Sequence, residues 1–256
     1  MLAISDLKFS VGQTQILNGI SFSVQKGEKL GIIGPNGSGK TTLFNCLSGF
    51  NLPAAGSISF NGKEITTLPP AKRAHLGIGR VFQNFGIFRD MTVQENILTA
   101  LESKQSSVVF PWSSRHRENS AHALHFLEMV KLQDKAKDKA GSLSGGQMRL
   151  LEISRAIAFG AELFLLDEPT AGVSPKMKEE IEAALQKLHS FNKTVLTIEH
   201  DINFIQKICD RIVVLDLGKV VLDGTPDEVR SDKRLQEIYF GASSTSPSDR
   251  LTLVKK

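Results

Sequence analysis

Nine consecutive residues, Gly34, Pro35, Asn36, Gly37, Ser38, Gly39, Lys40, Thr41 and Thr42, form the chain's clearest candidate for chemistry. Gly34 to Thr41 match the pattern G-x-x-x-x-G-K-[ST], with the apolar run "LGII" before it and the helix-forming "TTLFNCLSG" overlapping its end. Glycines at 34, 37 and 39 let the backbone curl until successive N–H groups point inward. Phosphate oxygens fit such a cradle, and the start of a helix adds partial positive charge. There Lys40 would neutralise the β- and γ-phosphates of a nucleotide, and the Thr41 hydroxyl would ligate magnesium. The pattern alone does not separate a kinase from a GTPase or a nucleotide-driven machine.

Other residues narrow the choice. The stretch "LFLLDE" ends in the adjacent acids Asp167 and Glu168. A carboxylate at the C-terminal edge of a sheet is where magnesium and an attacking water are met. Asp167 is therefore a candidate for the magnesium shell, and Glu168 for the base that orients and deprotonates water. The same pair also reads as an acidic helix cap following a strand. A guanine-reading N-K-x-D element is missing, because Asn192-Lys193 is followed by Thr194 and Val195.

A second glycine-bearing stretch, "LSGGQ" at 143–147, precedes "MRLLEISRAIA", in which Leu150, Ile153, Ile157 and Ala158 share one helix face. Ser144, Gly145, Gly146 and Gln147 thus occupy a helix start. That position suits either a second anion site or a simple N-cap with a tight turn. His200 reads on these grounds as a strand-end histidine without a special role, and His122 and His125 as solvated.

These groups need a scaffold that brings them together. "LGIIG", "ELFLLDE", "TVLTIEH" and "RIVVLD" are continuous apolar runs of the kind found in strands covered on both faces, and they predict a parallel sheet with helices between its strands. The first thirty residues instead alternate, with Ile20, Phe22 and Val24 on one side, and predict a small antiparallel layer joined by "GSISFNGKEI". Thr92 with Glu95, and Thr225 with Glu228 and Pro226, are helix-start signals. Residues from about 90 to 140 read as mostly helical, an insert in an α/β core. "SSVVFPWSS", which holds the only Trp, reads as a loop or helix turn engaged in local packing or, failing that, a docking surface, and the polar tail from Ser243 as disordered or loosely packed.

Composition sets outer bounds. With 256 residues, 41% of them hydrophobic and 23% charged, the chain can bury a substantial core. It has no run of about 18 apolar residues and no secretory N-terminus, so it is expected to be soluble and cytosolic. Cys46 and Cys209 fall in apolar segments that read as helical and are expected to be buried thiols. A net charge of +4 is spread among 27 acidic residues, which gives no focused footprint for nucleic acid.

The order of the motifs carries a resemblance. "GPNGSGKTT", "VFQN", "LSGGQ", "LFLLDEP" and "TIEHD" follow one another as in the nucleotide-binding subunits of ATP-binding cassette (ABC) transporters, and the resemblance covers residues 2 to 242. It implies a P-loop NTPase core of α/β class, with a parallel sheet, an N-terminal antiparallel β-subdomain and an inserted helical subdomain. Residues 1–242 would be the nucleotide-binding domain, with the helical part at about 90–160, and 243–256 a flexible tail. It further implies that Gln83 senses magnesium and the attacking water and couples to a membrane partner, and that His200 contacts the γ-phosphate. Ser144 to Gln147 would close over ATP held by the phosphate loop of a second ATPase subunit.

ATP and Mg2+ are the implied cofactors. The implied partners are a second ATPase subunit, transmembrane permease subunits and a substrate-binding protein, with no direct nucleic-acid contact and a peripheral position on the cytoplasmic face of the membrane. "FRDMTVQENIL", "DEPTAGVSP", "IEHD" and "IYFGAS" are similar to the branch serving branched-chain or other hydrophobic amino acids. ATPases for urea uptake and lipopolysaccharide export share parts of this signature, and a soluble ABC ATPase acting on nucleic acid or ribosomes is the rival of another class. Two departures stand out. Val11, with Phe9 nearby, occupies the place of an adenine-stacking aromatic, and Ser174 stands where an Asp is common in the inter-subunit loop.

Overall fold

A computed structural model describes residues 1–82, 86–104 and 114–240. The chain opens with strands β1 (Leu2–Val11) and β2 (Thr14–Val24), continues through β3 (Lys29–Ile33) and enters α1 (Lys40–Ser48). The hairpin of β4 (Ala55–Phe60) and β5 (Lys63–Glu64) and the short α2 (Pro70–His75) lead into β6 (Ile78–Val81). Then come α3 (Val93–Lys104), α4 (Ser114–Met129) and α5 (Gly145–Phe159). β7 (Leu163–Asp167), α6 (Pro175–Ser190), β8 (Thr194–Ile198), α7 (Ile202–Ile208), β9 (Arg211–Asp216) and β10 (Lys219–Gly224) follow, and α8 (Pro226–Ser231) and α9 (Lys233–Phe240) complete the described chain.

Among the described residues the strands form two sheets. One is antiparallel, in the order β2-β1-β4-β5; the other runs β10-β9-β3-β8-β7-β6. In the larger sheet β9, β3, β8, β7 and β6 are mutually parallel, and β10 adds an antiparallel edge. Helices link the parallel strands, as an α/β nucleoside-triphosphatase core requires.

The apolar runs divide their residues between two cores. Leu163 and Leu165 face the cluster that includes α1 and the antiparallel sheet, whereas Phe164 and Leu166 face the cluster built with α3 to α7. All four are fully buried, so "LFLL" shows no alternation although the strand has one. On β2 only one face is covered, and Ile20, Phe22 and Val24 point to it as their spacing predicts.

Local signals hold at the helix starts. The Thr92 hydroxyl accepts the Glu95 N–H at 3.1 Å while Glu95 accepts the Thr92 N–H at 2.6 Å, and Thr225 with Glu228 repeats the pattern ahead of Pro226. Arg73, almost fully buried, is unannounced in the sequence. Its guanidinium donates to the carbonyls of Cys46 and Leu47 at the end of α1 and to those of Thr66 and Leu68. It thereby satisfies acceptors that a helix end leaves open.

Several boundaries differ from expectation. β3 stops at Ile33 and β8 at Ile198, so Gly34, Glu199 and His200 lie beyond the strands that lead to them. Cys209 is buried but has extended backbone just after α7. The stretch from Val130 to Ser144 is mainly turns with two short 3-10 segments, and it docks against the loop before α3 through the Thr92–Lys139 bridge. Most of "SSVVFPWSS" and the tail from Ser243 lie outside the described residues.

Candidate active site

Sheet register brings the candidate groups together. Ile32 of β3 stands opposite Ile198 of β8, and Ile198 opposite Asp167 of β7. The loop after β3, the acids after β7 and the Glu199-His200 pair after β8 therefore leave one edge, the C-terminal edge of a parallel sheet.

In the first loop Gly34 is buried, and a Cβ placed there would meet the Leu215 carbonyl oxygen at 2.1 Å, so only glycine fits beside β9. Asn36, Gly37 and Thr41 are exposed, Pro35 and Thr42 half-buried, and Ser38, Gly39 and Lys40 buried. α1 begins at Lys40 after Gly39, with no side chain capping its first N–H groups and no acid in its first turn. Among the described residues the buried Ser38 hydroxyl has no hydrogen-bond partner. Lys40 Nζ donates to the carbonyl oxygens of Gly34 at 2.8 Å and Pro35 at 2.9 Å. Burial pushes its ammonium below the ordinary lysine range, and the charges of Glu168 and Asp167 oppose that shift. An uncapped helix start, an orphan hydroxyl and a cation resting on its own loop together suit a polyanion.

Asp167 is 4% exposed, and its Oδ2 accepts from Arg80 Nη2 at 3.0 Å. Burial raises its pKa and Arg80 counters the rise. Arg80 also donates to Asn45 and Ser48 and lies over the Phe82 ring, 4.8 Å from its centroid. This cation was missed at the sequence level because 87 positions separate it from Asp167.

Glu168 has a backbone φ of +48°, rare for a non-glycine residue, held by its N–H donating to Ile198 O at 3.0 Å and its carbonyl accepting from Ala171. That twist turns its carboxylate to His200, whose Nε2 lies 3.0 Å from Glu168 Oε1. His200, read from the residues alone as a strand terminus, thus meets the candidate base directly. Buried Glu199 accepts from both the N–H and the hydroxyl of Thr170, at 2.8 and 2.6 Å, and so fixes the turn after Glu168. Burial raises the Glu199 pKa, and the Thr170 bonds work against it. A charge at the end of a fully apolar strand was the available clue.

The second glycine stretch differs. The Ser144 hydroxyl accepts the Gln147 N–H at 3.3 Å, and the Gln147 side chain accepts the Ser144 N–H at 3.1 Å. Ser144 and Gly145 are exposed, whereas Gly146 is buried where a Cβ would lie 1.6 Å from Met177 Cγ of α6. Among the described residues no hydrogen bond joins this stretch to Gly34–Thr42.

Gln83 lies outside the described residues, but both flanks of its segment are pinned by α5. Phe82 O accepts from Arg149, Gly86 N–H donates to Glu152 at 2.5 Å, and Gly86 O accepts from Arg155. Their spacing of three on an otherwise apolar helix was the signal that a reading for hydrophobic period passed over. Beside them an apolar groove of about 420 Å³ is lined by Phe50, Phe82, Phe88, Arg80, Glu152 and Arg155. Val11 is 63% exposed at the end of β1, whereas Phe9 packs into the core. Ser174 accepts the Met177 N–H at 3.3 Å and so helps to start α6.

Known proteins of similar sequence and fold give the family. The model of the ABC transporter family matches residues 17–171. The high-affinity branched-chain amino acid transport ATP-binding protein BraF of Pseudomonas aeruginosa is 39% identical over 249 residues, covering 94% of this chain and 98% of its own. The probable branched-chain amino acid transport ATP-binding protein LivG of Methanocaldococcus jannaschii is 38% identical, with 90% of this chain and 93% of its own covered. A crystal structure of the ADP conformation of an ABC transporter's ATP-binding cassette superposes with a TM-score of 0.83 at 35% identity, covering 94% of this chain and 98% of that one. The chain belongs to the ATP-binding cassette family and is an ABC transporter ATPase.

Proposed function

We propose that this ATPase powers an importer of branched-chain or other hydrophobic amino acids, as a peripheral subunit on the cytoplasmic face of the membrane. The near full-length likeness to ATP-binding proteins of branched-chain amino acid transport carries the substrate class. Residues 1–242 act as one nucleotide-binding domain, with the helical part at about 90–160 inserted in it.

The loop Gly34–Thr42 receives the phosphates of ATP. Lys40 exchanges the Gly34 and Pro35 carbonyls for β- and γ-phosphate oxygens, the first N–H groups of α1 face the same anion, and Ser38 offers its unpartnered hydroxyl. Thr41 and Asp167 are hard oxygen donors that fit Mg2+, with Gln83 as a further ligand; the ion, when bound, neutralises phosphate charge. Glu168, steadied by His200, accepts a proton from the attacking water. A P–O bond forms at the γ-phosphorus as the bond to the β,γ-bridging oxygen breaks, leaving ADP and phosphate. His200 contacts the γ-phosphate.

Ser144, Gly145, Gly146 and Gln147 serve the nucleotide of a second ATPase subunit. The aromatic groove beside the Gln83 segment receives a permease subunit, and a substrate-binding protein delivers the amino acid outside.

Tagged chain purified from membranes in mild detergent should bring permease subunits with it, and the reconstituted complex should take up labelled leucine when ATP is supplied. Glu168→Gln should cut turnover by about 10²–10⁴-fold while ATP binding persists. Turnover near that of the parent removes Glu168 as the base, and a complex that moves urea or lipid instead of leucine overturns the substrate class.

A further inference from the structure

Tyr239 is the only tyrosine in the chain. It lies on α9, which seats on the body of the domain through buried Leu235, with Ile238 and Tyr239 packed against the same apolar cluster. Its hydroxyl oxygen accepts the N–H of Gly34 at 2.9 Å, across 205 positions of sequence. The parallel ladder of β3 with β9 ends at Ile33, so Gly34 has left the sheet, and its buried N–H needs an acceptor from elsewhere. Among the described residues the Tyr239 hydroxyl makes this bond alone. The ring packs without the hydroxyl; the oxygen is what reaches the loop.

Gly34 is thus held from two sides. Its N–H is fixed by α9, and its carbonyl oxygen accepts from Lys40 Nζ at 2.8 Å. Only one of these anchors survives nucleotide binding, because Lys40 must turn to the phosphates. We propose that Tyr239 is a positioning residue for ATP: its hydroxyl keeps Gly34 in place while Lys40 changes partners, so the docking of the C-terminal helix sets nucleotide affinity. The inference rests on reading Gly34–Thr42 as the ATP loop. Burial of Tyr239 pushes its hydroxyl above the ordinary range, and the bond from Gly34 opposes that shift.

Two measurements test it. With 3-fluorotyrosine in place of tyrosine, the intact chain carries one ¹⁹F resonance, from residue 239. Saturating ATP should move that resonance and AMP should leave it near its free position; no response to ATP overturns the proposal. Tyr239→Phe, assayed by competition with a fluorescent ATP analogue well below its melting temperature, should bind ATP about fivefold more weakly, the effect of one lost hydrogen bond. In the assembled transporter its KM for ATP should rise while kcat stays within about twofold. Equal ATP affinity in Tyr239→Phe and parent overturns the proposal, whatever the melting temperature does. Failure of the parent itself to bind ATP would instead overturn the reading of the loop.

Discussion

The two glycine-bearing helix starts, Gly34–Thr42 and Ser144–Gln147, look alike in sequence and are opposites in structure. Among the described residues α1 begins with no side-chain cap, an unpartnered Ser38 hydroxyl and a lysine lodged on its own loop. α5 begins with a complete capping box in which Ser144 and Gln147 satisfy one another. The first is open to an anion within its own chain. The second is content without one, and a phosphate there must compete with a cap that stabilises the helix by about 0.5–2 kcal/mol. On the proposed reading such a site answers to an anion brought in by something larger, a second subunit carrying ATP.

Substitutions can break or sharpen this contrast. The largest effect belongs to Lys40→Ala, which should weaken ATP binding about 10–100-fold, as expected for lost charge-assisted contacts, in direct titration of the isolated chain. Gly146→Ala comes next. Its added methyl runs into Met177, and chemical denaturation should show a loss of about 1–3 kcal/mol with ATP affinity of the isolated chain unchanged. The smallest effects form a pair. Ser144→Ala should cost about 1 kcal/mol by loss of its cap, whereas Ser38→Ala should leave nucleotide-free stability within about 0.5 kcal/mol, because its hydroxyl has no partner among the described residues. Equal costs in that pair would erase the distinction between the two helix starts.

Much of the scaffold was legible because it is encoded locally. Strands buried on both faces announce themselves as unbroken apolar runs, and the Thr92 and Thr225 capping boxes lie within four residues. Gly34–Thr42 is a contiguous motif, and it follows β3 and runs into the start of α1. What escaped was made by the order of strands in the sheet. Arg80 reaches Asp167 because β6 lies beside β7, and Tyr239 reaches Gly34 because α9 returns to the end of β3. The Glu168 twist and its His200 partner arise where neighbouring strands end in register. No spacing in one sequence encodes such pairs.

The central claim is that one chain holds two unlike halves of a site completed by another chain. Complementation tests it, with Glu168→Gln added to every chain so that bound ATP persists. Lys40→Ala and Ser144→Arg chains should each remain monomeric with ATP. Mixed in equal amounts, they should form an ATP-dependent dimer by light scattering, since the intact loop of the second meets the intact Ser144 of the first. If the mixture stays monomeric while Glu168→Gln alone dimerises with ATP, the two glycine stretches serve one chain and the account is contradicted.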